Sequence, residues 1–557
     1  MLPMRTLSLL LVLTLATRLP AQAPVGSTRG VVVCVSPLAA EVGAAVLARG
    51  GNAVDAAVAT AFALAVTWPE AGNVGGGGFM LVQPPGDAVP TFIDYREKAP
   101  LAATKDMFAG KIDYTSAATA GVPGTVRGLE LAHKKHGKLP WKDLVVPAAA
   151  LAENGFPVNA ALALSLNTIF KSKQTTNAEF RRVYGKNGSK GPWLAGDTLK
   201  LPDLGRTLRR VAEQGPAAFY TGELADAFDA EMTASAGLIT KQDLAAYTAV
   251  DRPVITGTYR GYDIVAAAPP SSGGTTLIET LNVLEHFDVK AHPRRSPETI
   301  HLMAEAMRRS FRDRAAYLGD PDFTKVPAHI TSKAHAKRLA ATIDLTKATR
   351  SETLAGDIPL APEGPQTTHF SIVDGAGMAV ANTFTLENSY GCRVVVRGSG
   401  FILNNEMTDF NHKPGVTDRK GDIGTPANQV AGGKRMLSSM CPVIVRKGGK
   451  TVLVTGSPGG RTILNTVTCV VVNVVDYGMD ARAAVDEPRQ HMQWFPDSLS
   501  LEDSADFPAL SGKLKTLGHA VTKHRQGDAH TIAIDPETGT AYGAADKRID
   551  GAAASPK

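Results

Sequence analysis

The sequence predicts an α+β protein built around one layered core. Helical patterns dominate the first two-thirds of the chain, and strand-like runs crowd the last third. The first segment also supplies strands, so both parts complete a shared core instead of forming separate layers. The length of 557 residues would by itself allow about three or four domains. A chain this long buries enough surface to fold without a disulfide or metal staple. With 44% hydrophobic and 20% charged residues, and with Gly 54 and Pro 35, collagen-like, disordered and coiled-coil architectures are excluded. The formal charge of +6 includes no Lys/Arg run of five or more, so the chain lacks the electrostatic footprint of a nucleic-acid binder.

The N-terminus reads as an address. Arg5 precedes an uncharged, largely Leu/Val/Ala stretch from Thr6 to Thr17, and Ala21-Gln22-Ala23 supplies an A-x-A cleavage site. That stretch is shorter than the roughly 18–20 apolar residues a bilayer span needs. Residues 1–23 are therefore expected to be a secretory signal peptide and the mature protein to be periplasmic or secreted. No membrane span is expected elsewhere, because the uncharged run Ala56 to Trp68 is short and reads as a core helix.

Gly30 to Ser36 (GVVVCVS) is a buried strand, followed by a helix from Pro37 to Arg49 that Gly50-Gly51 ends. Asn52 is the N-cap of the next helix, with Asp55 at its third position completing a capping box. After Trp68 comes Gly72-Asn73-Val74-Gly75-Gly76-Gly77-Gly78, then strands at Phe79 to Val82 and Thr91 to Tyr95. Four consecutive glycines mark a place where backbone comes very close to something. They are not a nucleotide loop. The spacing fits neither G-x-G-x-x-G nor G-x-x-x-x-G-K-[ST], and the order is helix, glycines, strand, the reverse of what those motifs need.

From Pro123 to Ala348 helical patterns alternate with polar turns, without a catalytic signature. A connector follows at Ala355 to Pro365, where Pro359, Pro362 and Pro365 favour an extended, exposed strand of polyproline type. Thr368 to Asp374 and Met378 to Thr385 then form a hairpin around Gly375-Ala376-Gly377. Gly400 to Leu403, Pro442 to Val445 and Thr451 to Thr455 read as further strands. Cys34, Cys392, Cys441 and Cys469 lie far apart in apolar settings and read as separate buried thiols, although export leaves one disulfide open. No metal-ligand spacing occurs, and no cofactor is expected.

One position carries chemistry. Thr367 stands where the connector ends and a strand begins. A threonine there becomes a strong nucleophile if the preceding peptide bond is cut. Its own α-amine, with a pKa of roughly 7.7–8.0, then takes the hydroxyl proton. On pattern alone a Thr beside a His is more often plain strand surface.

Eight stretches, in order, resemble the γ-glutamyltranspeptidase family of N-terminal-nucleophile hydrolases. They are GGNAVDAAVATAFALAVTWPEAGNVGGGGFMLV (50–82), DYREKAP (94–100), GLITKQDLAAY (237–247), PPSSGG (269–274), TTHFSIVD (367–374), LNNEMTDF (403–410), LSSMCP (437–442) and TGSPGG (455–460). The resemblance runs from Gly30 to about Gly543. It implies an αββα sandwich and a precursor that cuts itself before Thr367, into a large subunit (24–366) and a small catalytic subunit (367–557) that stay interleaved. Thr367 would attack the γ-carbonyl of glutathione or another γ-glutamyl compound. Water, an amino acid or a dipeptide would resolve the γ-glutamyl-enzyme.

The resemblance also implies roles for single residues. Arg96 clamps the substrate α-carboxylate with the two parallel bonds a guanidinium can make, and Ser438 and Ser439 add hydroxyl donors. Gly459 and Gly460 offer backbone N–H groups as the oxyanion hole. Thr385 is a second threonine that supports the nucleophile. Glu387 and Glu406 stand where many members have Asn and Gln around the substrate ammonium, beside the matching Asp409. The segment Phe410 to Arg435 keeps the length of a pocket lid. The lid's Tyr has no counterpart, since Thr417 to Gly421 contains Lys420 but no aromatic. Two other readings compete: an acylase of the same fold that removes glutaryl side chains from β-lactam nuclei, and an exported binding protein that never matures.

Overall fold

The computed structural model describes residues 23–557 apart from 111, 189–190, 355–359 and 362–365. The expected signal sequence therefore lies outside the described residues except for Ala23. So does the expected extended connector, except for Leu360–Ala361, a short strand paired with Asp422–Ile423.

Two seven-stranded antiparallel sheets stack face to face. The first runs Ala552–Ala554, Gly30–Cys34, Gln366–Asp374, Ala379–Glu387, Gly77–Gln83, Thr91–Tyr95, Val250–Arg252. The second runs Val25–Ser27, Ala541–Ala544, Thr531–Ile534, Lys450–Thr455, Val443–Lys447, Tyr262–Ala266, Ile255–Tyr259. Each sheet mixes strands from before and after Thr367, as the shared core requires.

Side-chain alternation explains the layers. In Gly30–Cys34, Val32 and Cys34 face one core with helices Pro37–Ala48 and Ala53–Thr67, while Val31 and Val33 face the other sheet. The strand Gly77–Gln83 repeats this, with Met80 and Val82 toward the helices and Phe79 and Leu81 toward the second sheet. Strands covered on both faces read as continuous apolar runs, which is why GVVVC and FMLV lack polar alternation. Helices Gly273–Leu284, Pro297–Tyr317 and Thr462–Val475 pack on the second sheet and complete an αββα sandwich.

The capping box at Asn52 and Asp55 is present, and every residue of Ala53–Thr67 is buried. The hairpin joins Gln366–Asp374 to Ala379–Glu387. Gly400 to Leu403 is not a strand. Gly398 and Gly400 take left-handed φ of +76° and +73°, which turn the chain, and only a single Val395–Ile402 bridge forms. The four cysteines are buried free thiols. Burial pushes the Cys34 and Cys392 thiols up to about 12. Among the described residues no helix is long and apolar enough to cross a membrane.

Candidate active site

Thr367 sits near the start of the central strand Gln366–Asp374, at a register shift between Gln366 and Thr368. It is buried, and it opens on a cleft also lined by Arg96, Thr385, Glu387, Asp409, Ser438, Ser439, Met440, Gly460 and Ile463. Eight of the ten residues singled out in the sequence thus meet in one cleft. The other two adjoin it: Gly459 precedes Gly460, and Glu406 reaches Arg96.

The run of glycines explains how these strands converge. A Cβ at Gly75 would lie 2.1 Å from the Ile402 carbonyl oxygen, and one at Gly76 2.1 Å from that of Thr385. The neighbour that needs the space is the protein's own backbone. Asn404 locks the same region, donating to the Gly75 and Gly121 carbonyls at 2.8 and 2.7 Å and accepting from Gly121 N–H at 2.8 Å.

Arg96 follows the strand Thr91–Tyr95 and is wholly buried, not the solvated charge that an Arg after a strand usually is. Its Nη1 lies 2.5 Å from Glu406 Oε2 and 3.5 Å from Glu97 Oε2, and its Nη2 pairs with Asp409. Glu406–Asp409 is a single 3₁₀ turn. Side chains three apart eclipse in that geometry, so both carboxylates reach the same guanidinium. Burial opposes the Arg96 charge, but Glu406, Asp409, Glu97 and Glu387 outweigh it and hold Arg96 above its ordinary range. Burial raises Glu406, with Arg96 opposing, and raises Glu97 further with Glu406 as neighbour.

Glu387 ends its strand at φ +74°, a left-handed conformation uncommon for a residue with a side chain. The Thr385 hydroxyl oxygen accepts the Glu387 N–H at 2.8 Å and holds that turn. Strain of this kind concentrates at functional sites, and here it accompanies the entry of Glu387 into the cleft.

Ser438 and Ser439 are positioned by the PPSSGG segment. Ser438 N–H donates to the Pro270 carbonyl at 2.9 Å, and the Ser438 carbonyl accepts from both N–H and hydroxyl of Ser272 at 2.7 Å. Arg314, from helix Pro297–Tyr317, donates to Ser272 Oγ at 2.8 Å and to Ser439 Oγ at 3.0 Å. Gly459 and Gly460 take φ of +126° and +56° immediately before helix Thr462–Val475. That places their amides at a helix N-terminus, where backbone donors and the helix dipole favour negative charge.

Sequence reasoning missed Glu97 and Arg314. Glu97 lies inside the DYREKAP stretch without a role of its own there, and Arg314 lies in the helical middle, where nothing in the sequence marks it. His369 is not surface, contrary to the pattern of a Thr-His pair. It is buried, bonded to Thr383 and Ser371, and kept neutral by burial and the nearby His530. Among the described residues three groups could geometrically hold a cation: Glu387, Glu406 and Asp409; His301, Glu305 and His519; Glu279, Asp313 and His335. In each an arginine already pairs with a carboxylate: Arg96, Arg308 with Arg309, and Arg312 respectively.

A family model for gamma-glutamyltranspeptidase matches residues 39–555. A glutathione hydrolase proenzyme of Escherichia coli is 46% identical over 535 residues, covering 94% of this chain and 91% of that one. The acylase ACY 1 proenzyme of a Pseudomonas species is 34% identical, covering 95% and 94%. The crystal structure of a cephalosporin acylase from Bacillus halodurans superposes with a TM-score of 0.85 at 26% identity, covering 98% of this chain and 99% of that one. The αββα sandwich is thus that of N-terminal-nucleophile hydrolases. Family match and curated relatives both span almost the whole chain, and the chain belongs to the gamma-glutamyltranspeptidase family.

Proposed function

We propose that this chain is a self-processing γ-glutamyl transferase and glutathione hydrolase with Thr367 as its nucleophile. The observation that carries the reading is the meeting of Thr367, Gly460 and a zwitterion-reading set, Arg96, Glu387, Asp409, Ser438 and Ser439, in one cleft. Cleavage of the Gln366–Thr367 bond consumes one water and gives a large subunit, 24–366, and a small subunit, 367–557. The freed Thr367 α-amine takes the proton of its own hydroxyl as Oγ1 attacks the γ-carbonyl. The tetrahedral oxyanion accepts hydrogen bonds from the Gly459 and Gly460 amides, where one donor is typically worth ~10²–10³ in rate. Collapse expels the amine, which takes the proton back from the ammonium, and leaves a γ-glutamyl ester on Thr367. Water yields glutamate; an amino-acid or dipeptide amine yields a new γ-glutamyl amide. Arg96 with Ser438 and Ser439 holds the α-carboxylate, and Glu387, Glu406 and Asp409 hold the ammonium.

The acylase relatives make deacylation of glutaryl compounds the second reading. The acidic set opposes it, because a glutaryl group has no ammonium to offset these buried carboxylates. A non-catalytic binder would not need the nucleophile and the glycine amides together. Residues 1–23 serve as the export signal in this reading, with the enzyme acting in the periplasm or outside the cell. Release of the chromophore from a γ-glutamyl anilide, faster with a dipeptide acceptor present, tests it. No release from the purified wild-type protein overturns it.

A further inference from the structure

Outside the cleft, three helices bring a second set of titratable groups together. Glu279 from helix Gly273–Leu284, Asp313 from helix Pro297–Tyr317 and His335 from helix Lys333–Ala340 each offer one ligand atom, and these atoms all lie within 4.8 Å of one another. Glu279 is wholly buried, and among the described residues no hydrogen-bond donor reaches either of its oxygens. Burial, and then the neighbouring Asp313, hold its carboxyl well above the ordinary range. A proton shared with Asp313 would satisfy one Glu279 oxygen and leave the other orphaned, which is costly in a buried carboxyl. The two other acidic groups are already accounted for. Glu305 is held by Arg308, Arg309 and the Thr349 N–H, and Glu387, Glu406 and Asp409 belong to the reacting site.

We propose that Glu279, Asp313 and His335 form a binding site for a divalent transition-metal ion, with zinc the best match. Zinc bonds in a tetrahedron set neighbouring ligand atoms about 3.3–3.4 Å apart. His335 Nε2 lies 3.4 Å from Glu279 Oε1 and 2.6 Å from Asp313 Oδ2. The first separation already fits, and the second opens by about 0.8 Å once the bridging proton leaves. The imidazole selects a transition ion over magnesium or calcium, which take oxygen ligands. Glu279 closes the fourth position with its second oxygen, so neither oxygen stays orphaned. Arg312 Nη1 donates to Asp313 Oδ1 at 2.7 Å and leaves Oδ2 for the ion; such an outer hydrogen bond orients a ligating carboxylate. His335, with its side chain 13% exposed, gives the ion a path from the surface. Arg338 Nη2, 3.2 Å from His335 Nδ1, turns away on its exposed side chain, because an imidazole bound through Nε2 carries its proton on Nδ1. All three ligands precede Thr367, so the ion ties together helices of the large subunit. Asp313 adjoins Arg314, which holds Ser272 and Ser439, and the ion therefore braces the helix behind those serines.

The test titrates the purified, chelator-stripped wild-type protein with zinc chloride near neutral pH and follows binding by calorimetry. One zinc per chain should bind with a Kd of about 1 μM or tighter. Glu279→Gln and His335→Ala should each weaken that event at least about tenfold. His335→Ala changes a partly exposed ring, so it carries the test if Glu279→Gln does not fold. Glu387→Gln and His519→Ala should leave the event unchanged, which separates this site from the two other acidic groups. Absence of zinc binding by the wild type overturns the site and leaves a proton-sharing pair in its place. Full affinity retained in either folded site variant overturns it too, as does loss of the event in Glu387→Gln or His519→Ala.

Discussion

Replacing Arg96 by Met keeps most of the side chain's volume and removes the cation around which the site is built. Arg96 is fully buried with Glu406 at 2.5 Å, Asp409 in direct contact and Glu97 at 3.5 Å. Removing one partner of a buried pair typically costs about 3–5 kcal/mol, because a charge is left uncompensated. The carboxyls respond by holding protons. Burial already raises Glu406 and Glu97 above the ordinary 4.5, and losing the opposing guanidinium raises them further. The sign follows from linkage. Above pH 4.5 the unfolded chain releases protons that the folded one keeps, so stability falls as pH rises toward the folded pKa. Each such group contributes a slope of at most about 1.4 kcal/mol per pH unit. The deficit of Arg96→Met relative to its parent should be smallest near pH 5 and largest near pH 8. Urea unfolding at pH 5, 6.5 and 8 measures it, with both proteins in a Thr367→Ala background so that self-cleavage cannot differ. A deficit below about 1 kcal/mol, or one unchanged between pH 5 and 8, refutes the electrostatic reasoning.

Arg96→Lys retains the charge but loses the fork, so the KM for a γ-glutamyl anilide should rise about tenfold; an unchanged KM removes Arg96 from substrate binding. Gly459→Ala puts a Cβ 2.4 Å from Thr462 Oγ1 at a backbone φ of +126°. That should tilt the amide and lower kcat by ~10²–10³, and wild-type turnover would exclude the oxyanion role. The mature enzyme should strongly prefer γ-glutamyl to glutaryl anilides. The ratio should shrink at alkaline pH, as the substrate ammonium deprotonates, and shrink also in Glu387→Gln/Glu406→Gln. Comparable catalytic efficiencies on the two anilides would favour the acylase reading.

Local signals carried much of the fold into view. Asn52 and Asp55 announce their helix because a capping box is a contact between near neighbours, and Gly375-Ala376-Gly377 announces its hairpin for the same reason. The glycine run states that something comes close but not what, since the Ile402 and Thr385 carbonyls arrive from more than 300 residues away. The run Gly400 to Leu403 has strand composition, yet left-handed glycines turn it into a loop. Motifs single out Thr367, Ser438, Ser439, Gly459 and Gly460, and the fold brings Thr367, Ser438, Ser439 and Gly460 around one cleft. Arg314 is not singled out there, because an arginine on a long helix takes its meaning from Ser272 and Ser439, which tertiary packing sets beside it. Glu97 likewise has no role in the sequence pattern, and only the fold buries it against Arg96.

The account turns on Thr367 becoming an N-terminus. Intact-mass analysis of the purified, active protein tests this directly, alongside Thr367→Ala. Two chains should be found, the smaller one beginning at Thr367, while Thr367→Ala remains one uncut and inactive chain. A fully active wild type that proves to be a single uncut chain would contradict the account.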